Sequence, residues 1–205
     1  MSASPTIFIV DDDPDFLESL SALVQSMGLP TKLFPSPDDY LKQFDPDAPG
    51  CLILDVRMPH ISGLALQEKL ASLPLCPPVI IMTGHAEVPT ALRAMRQGAV
   101  DFLQKTFSET ELYEAIQRAL KHDEENRVRY ARKQELATKF GQLSPAERQV
   151  LDQVLRGEAN KRIASSLGVS RRTVEDRRAR LMQKLAVETL ADLVRLAIEA
   201  GVHDE

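Results

Sequence analysis

Residues 7–13 read IFIVDDD, an apolar run of four that ends in three aspartates. Similar segments follow downstream: CLILD at 51–55, VIIMT at 79–83 and DFLQK at 101–105. Short apolar runs of this kind are typical of strands buried in a parallel sheet. Because parallel strands end at the same edge of a sheet, the residues that close these runs are expected to lie together there. These residues are Asp11, Asp12, Asp55, Thr83 and Lys105.

Helical patterns separate the strands over residues 1–120. Five strand–helix units with short connections predict an α/β domain with a doubly wound, five-stranded parallel sheet. A weaker strand is predicted at 31–34, and a capping box at 108–111 begins the fifth helix. The other helices are predicted at about 14–27, 37–44, 63–72 and 87–97.

The pattern becomes entirely helical from Leu143. Residues 144–147 read SPAE, a strong helix start, and residues 168–170 read GVS, a tight turn before another helix. These signals predict an all-α domain of four helices over residues 141–205. Residues 121–140, which contain neither Gly nor Pro, are predicted to form a solvated helical linker. A short dimeric coiled coil is the alternative, through the sparse apolar stripe Val128, Ala131, Leu136 and Phe140.

The formal net charge of −5 conceals an asymmetry along the chain. Residues 1–120 carry 8 basic and 16 acidic side chains, whereas residues 156–184 carry 9 basic and 3 acidic ones. This distribution favours metal or phosphate chemistry in the first part and nucleic-acid binding in the second.

Two cysteines, Cys51 and Cys76, show no metal-ligand spacing and are expected to be free thiols. No signal peptide is predicted, and no apolar run reaches the length of a membrane span. We therefore expect a cytoplasmic protein with no membrane partner.

Three carboxylates at one sheet edge repel one another unless a cation neutralises them, and hard oxygen ligands suit Mg²⁺. Asp55, alone at the end of a central strand, is the best nucleophile for accepting a phosphoryl group. Asp11 and Asp12 are predicted to hold Mg²⁺ with the backbone carbonyl of Arg57. Lys105 and Thr83 are expected to contact the transferred oxygens. The aspartates could instead cap the first helix, and Lys105 could form only a structural ion pair with Asp55.

The first part of the chain, about residues 5–120, resembles a CheY-like response-regulator receiver domain. The resemblance implies that a sensor histidine kinase transfers a phosphoryl group to Asp55. It also implies that Thr83 and Phe102 form a switch that repacks the face of the fourth helix, fifth strand and fifth helix. The matching segments are VDDDP at 10–14, LDVRMP at 54–59, Gly63, MTGH at 82–85 and DFLQK at 101–105.

One position departs from the receiver pattern. Receivers usually have Lys-Pro after the fifth strand, often with a cis peptide bond, whereas this chain has Lys105-Thr106. A cis bond without proline costs about 3–4 kcal/mol. Either the bond is trans and Lys105 is directed differently, or the loop is strained.

Residues 160–175 read NKRIASSLGVSRRTVE, a sequence with helix-turn-helix character. Arginines suit phosphates and guanine edges. Those expected on the outer face of the second helix are Arg171, Arg172, Arg177, Arg178 and Arg180. This end, over about 141–202, resembles the LuxR/FixJ-type four-helix DNA-binding domain through LSPAER at 143–148, NK at 160–161, IA at 163–164, TVE at 173–175 and KL at 184–185.

The resemblance implies that Glu175, Asp176 and Ala179 face bases. Asp176-Arg177 stands where the family commonly has an apolar residue followed by His, so we expect an operator preference unlike that of its relatives. The residues implied to hold phosphates are Arg171, Arg172, Arg177, Arg180 and Lys184. Lys161 and Thr173 complete the expected DNA-binding set.

These observations favour a two-component response regulator of the FixJ/NarL type. Phosphorylation is expected to stabilise a homodimer through a face near Ala91, Arg93, Met95, Val100 and Phe102, and the dimer would bind double-stranded promoter DNA. A last helix, about 189–200, is either core or a dimer seam. Two alternatives are a free-standing Mg²⁺-dependent phosphotransferase or phosphatase, and a phosphorylation-independent DNA-binding or interaction module.

Overall fold

The computed structural model describes residues 4–84 and 88–202, and it divides the chain into two units, Met1–Val128 and Arg129–Glu205. In the first unit, five parallel strands form one sheet in the order β2-β1-β3-β4-β5. This confirms the predicted sheet. The strands are β1 (Thr6–Val10), β2 (Thr31–Phe34), β3 (Gly50–Asp55), β4 (Val79–Thr83) and β5 (Asp101–Gln104).

The central strand β3 is buried along its whole length, because helices cover both faces of the sheet. On one face, Leu52, Leu54 and Ile81 belong to one apolar cluster. On the other, Ile53 and Ile80 belong to a second cluster. The helices are α1 (Pro14–Ser26), α2 (Pro37–Lys42), α3 (Gly63–Ala71), α4 (Val88–Arg96) and α5 (Glu109–Gly141).

Glycine is required at two positions that contact neighbouring backbone, Gly50 at the start of β3 and Gly63 at the start of α3. A Cβ atom on Gly50 would lie 1.8 Å from the carbonyl oxygen of Thr6, and the φ of Gly50 is +147°. A Cβ atom on Gly63 would lie 2.0 Å from the carbonyl oxygen of Asp55. The start of α3 can therefore lie directly against the end of the strand that carries Asp55.

Residues 121–140 are helical, and they belong to α5, which continues without interruption from Glu109 to Gly141. No Gly or Pro interrupts this stretch, so nothing in the backbone ends the helix earlier. Most of its side chains are exposed, but Asp123 is 3% exposed in the first unit and Leu136 is 0% exposed in the second. Phe140 is likewise buried, so half of the stripe considered for a coiled coil is already packed.

The ion pair between Asp123 and Arg127 joins α5 to the loop that precedes β3. Asp123 Oδ2 accepts hydrogen bonds from the Gly50 amide at 2.9 Å and from Arg127 Nε at 2.8 Å. The Arg127 guanidinium also donates to the carbonyl oxygens of Pro46, Asp47 and Ala48. One guanidinium thus satisfies three loop carbonyls and the carboxylate beside them.

Four helices follow in the second unit: α6 (Pro145–Leu155), α7 (Asn160–Leu167), α8 (Arg171–Leu185) and α9 (Leu190–Glu199). Their shared core contains Val150, Ile163, Val174 and Leu181, all 0% exposed. Ser144 and Glu147 form the predicted capping box at the start of α6. Gly168 ends α7 in the left-handed conformation, with φ +65°, and makes the turn into α8.

Most predicted ends of helices and strands differ from the observed ones by one or two residues, which is the usual fraying of such boundaries. The predicted start of the fourth helix at residue 87 and the motif residue His85 lie outside the described residues. Within the part of the chain that the structure describes, no helix is long and apolar enough to cross a membrane.

The Asp123–Arg127 pair predicts a stability effect. Arg127→Met should lower the free energy of unfolding by about 3 kcal/mol, because Asp123 would keep its charge in a buried position without its cationic partner. Lys121→Met, on the exposed side of the same helix, should change it by less than about 0.5 kcal/mol. Urea unfolding followed by circular dichroism measures both. Equal values for the two variants would show that the pair does not stabilise the fold.

Candidate functional site

Three charged side chains meet at the carboxyl edge of the sheet. The ammonium nitrogen of Lys105 lies 2.6 Å from Asp11 Oδ2 and 3.1 Å from Asp55 Oδ1. The side chains of Asp11 and Asp55 are only 2% and 5% exposed, whereas that of Lys105 is 23% exposed. Buried carboxylates need a compensating charge, and Lys105 supplies it to both at once.

Backbone geometry places each of these groups. Asp55 closes β3, and its Oδ2 accepts a 2.6 Å hydrogen bond from the Arg57 amide. Asp11 follows β1, and its Oδ1 accepts from the Asp13 amide at 3.0 Å. The Lys105 amide donates to the carbonyl oxygen of Thr83 at 2.8 Å, which extends the β4–β5 pairing to the start of the loop.

The pKa values of Asp55 and Lys105 both shift upward. Burial raises the pKa of Asp55 above its ordinary value, and hydrogen bonding to Lys105 only partly opposes this effect. Partial burial acts to lower the pKa of Lys105, but hydrogen bonds to Asp11 and Asp55 outweigh it and the pKa is raised. Lys105 therefore holds its positive charge at neutral pH beside a carboxylate that is more basic than usual.

The other aspartates of the first loop differ from Asp11. Asp12 is exposed, while Asp13 caps α1 by accepting from the amides of Asp15 and Phe16. Helix capping, considered for all three aspartates, thus describes Asp13 and not Asp11. Among residues 4–84 and 88–202, no three acidic, cysteine or histidine side chains converge closely enough to hold a metal ion. Asp11 and Asp55 instead share the Lys105 ammonium as a common partner.

The two expected switch residues belong to β4 and β5, the strands that end at this edge of the sheet. Thr83 ends β4 and is 1% exposed, and Phe102 in β5 is partly buried against the core cluster of Leu54 and Ile81. Every peptide bond in the described residues is trans, including the one between Lys105 and Thr106. Of the two alternatives for this loop, the trans bond is the one observed, and it still directs Lys105 to both carboxylates.

Sequence analysis missed one neighbour of Lys105. Phe16, in the first turns of α1, lies with its ring centroid 4.3 Å from the Lys105 ammonium nitrogen. This distance is that of a cation–π contact. Its position one turn after the aspartate-rich loop was the only signal in the sequence, since the periodicity fits a core residue equally well.

In the second unit, α7 and α8 form the helix-turn-helix, and α8 begins with a cap from Ser170. Most of the residues expected to contact DNA are exposed on these helices: Lys161, Arg171, Arg172, Glu175, Asp176, Ala179 and Arg180. Thr173 and Arg177 are half-buried. The surface of α8 is therefore strongly basic, with two acids inserted in it.

Two basic side chains of α8 are held within their own unit. Arg178, expected on the outer face, donates from Nη1 to Asn160 Oδ1 at 2.6 Å and so ties α8 to α7. The Lys184 ammonium lies 2.7 Å from Glu147 Oε2 and 3.2 Å from the carbonyl oxygen of Gln142. A phosphate contact by Lys184 remains a prediction, and it would compete with this ion pair.

Apolar side chains are exposed on two helices considered for dimer contacts. On α4, Val88, Leu92 and Met95 are 71%, 52% and 47% exposed. On α9, Leu193 and Ala197 are buried in the core, whereas Leu190 and Ile198 are 45% and 63% exposed. The last helix is thus core on one face and open on the other.

Comparison with known proteins gives two family matches in the same chain. Residues 7–117 match the response regulator receiver domain, and residues 141–197 match the bacterial regulatory proteins of the LuxR family. The two matches lie on either side of the division between the two structural units.

Several relatives match along nearly the whole chain. The response regulator protein TodT of Pseudomonas putida is 45% identical over 190 residues, which are 93% of this chain and 84% of TodT. The transcriptional regulatory protein FixJ of Bradyrhizobium diazoefficiens is 38% identical over 205 residues, the full length of both. The solved structure of the response regulator StyR is 40% identical and superposes with a TM-score of 0.80 over 96% of this chain and 100% of StyR.

The Glu147–Lys184 pair makes the second unit sensitive to acid. Hydrogen bonds from Lys184 and from the Ser144 amide lower the pKa of Glu147 from 4.5 to about 2. A carboxyl whose pKa is lower in the folded state stabilises the fold above pH 4.5, and this contribution is lost as the pH falls toward 2. An NMR titration should give a Glu147 midpoint near 2 in the native chain and a higher one in Lys184→Met. A midpoint near 4.5 in the native chain would contradict the ion pair.

Proposed function

Because this chain belongs to the two-component response regulators that join a receiver to a LuxR-family DNA-binding domain, we propose that phosphorylation of Asp55 switches it as a transcription regulator. The phosphoryl donor is a sensor histidine kinase. We assign the receiver to residues 1–120, the connecting segment to 121–140 and the DNA-binding domain to 141–205. The observation that carries the proposal is the shared contact of the Lys105 ammonium with Asp11 and Asp55.

In the proposed transfer, a carboxylate oxygen of Asp55 attacks the phosphorus of a phosphohistidine. The new oxygen–phosphorus bond forms as the nitrogen–phosphorus bond breaks, and the histidine nitrogen leaves with the electron pair. Lys105 stabilises the negative charge on the phosphoryl oxygens, as a fixed cation at a partly buried site can.

The donor atoms are of the kind that Mg²⁺ prefers, although in the described residues Asp11 and Asp55 converge on the Lys105 ammonium and not on a metal position. Asp11 and Asp55 are buried carboxylates that already require a cation, the exposed Asp12 stands next to Asp11, and all three offer hard oxygens. We propose that Asp11, Asp12, Asp55 and the backbone carbonyl of Arg57 hold the ion. Bound there, Mg²⁺ would neutralise charge on the phosphoryl oxygens.

The switch would work through Thr83 and Phe102, on the two strands that lead to this edge of the sheet. The hydroxyl of Thr83, at the end of β4, would donate to a phosphoryl oxygen, and Phe102 would turn further into the core beneath α4. This would repack the surface near Ala91, Arg93, Met95, Val100 and Phe102. The exposed apolar side chains of α4 make it a suitable homodimer surface.

Dimerisation would then bring two helix-turn-helix units onto two half-sites of double-stranded DNA. Within each unit, the exposed arginines of α8 would hold phosphates and fix its register. Glu175, Asp176 and Ala179 would face bases, and a carboxylate in this position can accept from the N4 amino group of cytosine.

The phosphorylation step predicts a change of mass in solution. With Mg²⁺ and acetyl phosphate, light scattering should detect a shift from the 22.8 kDa monomer to a dimer. Asp55→Asn should remain monomeric because it lacks the nucleophile, whereas Asp38→Asn, an exposed aspartate of the same unit, should behave as the native chain. A dimer that forms equally with Asp55→Asn would favour the phosphorylation-independent module instead.

The DNA interface predicts two kinds of mutational effect. Arg172→Ala should weaken binding to all duplexes alike and reduce the slope of log affinity against log salt by about 1, because one phosphate contact is lost. Asp176→Ala should change the ranking of operator sequences by about 1–3 kcal/mol per affected base pair. Arg156→Ala, in the same unit but off α8, is the control. Fluorescence anisotropy over a salt series measures all three, and identical salt slopes for Arg172→Ala and Arg156→Ala would contradict the assignment.

A further inference from the structure

In the described residues, the Lys105 ammonium contacts two carboxylates and one aromatic ring. The carboxylate oxygens are those of Asp11 at 2.6 Å and of Asp55 at 3.1 Å. The ring is that of Phe16, whose centroid lies 4.3 Å away. The carboxylates attract the charge more strongly, so in the resting protein the ring is the minor partner.

The anionic contacts of Lys105 change during phosphoryl transfer. The reaction converts the Asp55 carboxylate into an acyl phosphate, and Asp11 is the proposed ligand of the metal ion. Lys105 therefore exchanges its carboxylate partners for the phosphoryl oxygens as the phosphoryl group arrives. The Phe16 ring takes no part in that chemistry, and it is the neighbour of the ammonium that stays unchanged.

We propose that Phe16 is a positioning residue for phosphoryl transfer, which keeps the Lys105 ammonium directed into the site while Asp11 and Asp55 change partners. The inference rests on the proposed function of Asp55 as the phosphoryl acceptor. Phe16 acts through Lys105 and need not touch the phosphoryl group itself.

The local structure fixes the ring where this role requires it. The Phe16 amide donates to Asp13 Oδ1 at 3.2 Å, so the helix cap sets the first turn of α1. The ring itself is partly buried against the core cluster that contains Leu17 and Leu20. A partly desolvated ring attracts a cation more strongly than an exposed one, because less water competes for the charge.

The proposed role requires the aromatic face of Phe16, which attracts the Lys105 ammonium, and not only the volume of its side chain. An aliphatic side chain of similar size would fill most of the same space but has no π face to attract the ammonium. The variants Phe16→Leu, Phe16→Tyr and Phe16→Trp separate the two roles. Phe44→Leu makes the same chemical change at a partly buried phenylalanine packed against the other core cluster.

The first measurement is the rate of phosphorylation by acetyl phosphate with Mg²⁺. Phe16→Leu should be slower than the native chain by about 5- to 30-fold, the factor that corresponds to a cation–π contact of about 1–2 kcal/mol. Phe16→Tyr and Phe16→Trp should retain the native rate within about threefold, and Phe44→Leu should be unaffected. Equal loss in the leucine and aromatic variants, or no loss in Phe16→Leu at an unchanged melting temperature, would overturn the proposal.

A second measurement does not depend on phosphorylation. The chain contains three tyrosines and no tryptophan, so Phe16→Trp introduces a single tryptophan at the proposed contact, and its emission lies at longer wavelength than that of tyrosine. Adding Lys105→Met should change its emission, because the ammonium no longer lies over the indole ring. Unchanged emission would overturn the contact. A native chain that accepts no phosphate while this emission change is present would refute the proposed function and leave the contact standing.

Discussion

Two carboxylates buried at one sheet edge are the constraint on which the first unit depends. Asp11 and Asp55 lie there because the parallel strands β1 and β3 end together, and neither side chain is open to water. Such a pair is stable only beside a cation, and Lys105 at the end of β5 provides one. The same arrangement that stabilises the resting fold also places the proposed nucleophile, Asp55, beside a fixed positive charge, so the stability of the fold and the proposed chemistry depend on the same contacts.

The site was predictable where the chain geometry leaves few choices. An apolar run that ends in an aspartate identifies both a strand and the edge at which it ends. In the observed register Val10 pairs with Leu54, so β1 and β3 end at the same edge and the aspartates that follow lie together. Asp55, Thr83 and Lys105 followed from that geometry alone. Phe16 did not, because its spacing in α1 is that of an ordinary core residue and its ring reaches Lys105 only through the tertiary fold.

Long-range polar contacts were the other failure of prediction. Asp123 and Arg127 belong to a stretch whose composition suggests a solvated helix, and their partners lie about 80 residues earlier in the chain. From its position, Lys184 was expected to be one more exposed basic side chain of α8. It instead forms an ion pair with Glu147, which lies 37 residues earlier in the chain. Local pattern cannot distinguish a charge that faces water from one that closes an ion pair, because both have the same helical spacing.

The Asp123–Arg127 pair also bears on how far the receiver extends as a folding unit. The regular alternation of strands and helices ends near residue 120, yet the amide of Gly50 and the carbonyl oxygens of Pro46, Asp47 and Ala48 find their partners beyond it. A fragment cut at residue 120 would leave these groups without them, at the loop that leads into the central strand. A fragment that keeps these contacts must therefore extend past the proposed receiver boundary at residue 120 to Arg127 at least, about two turns further along α5.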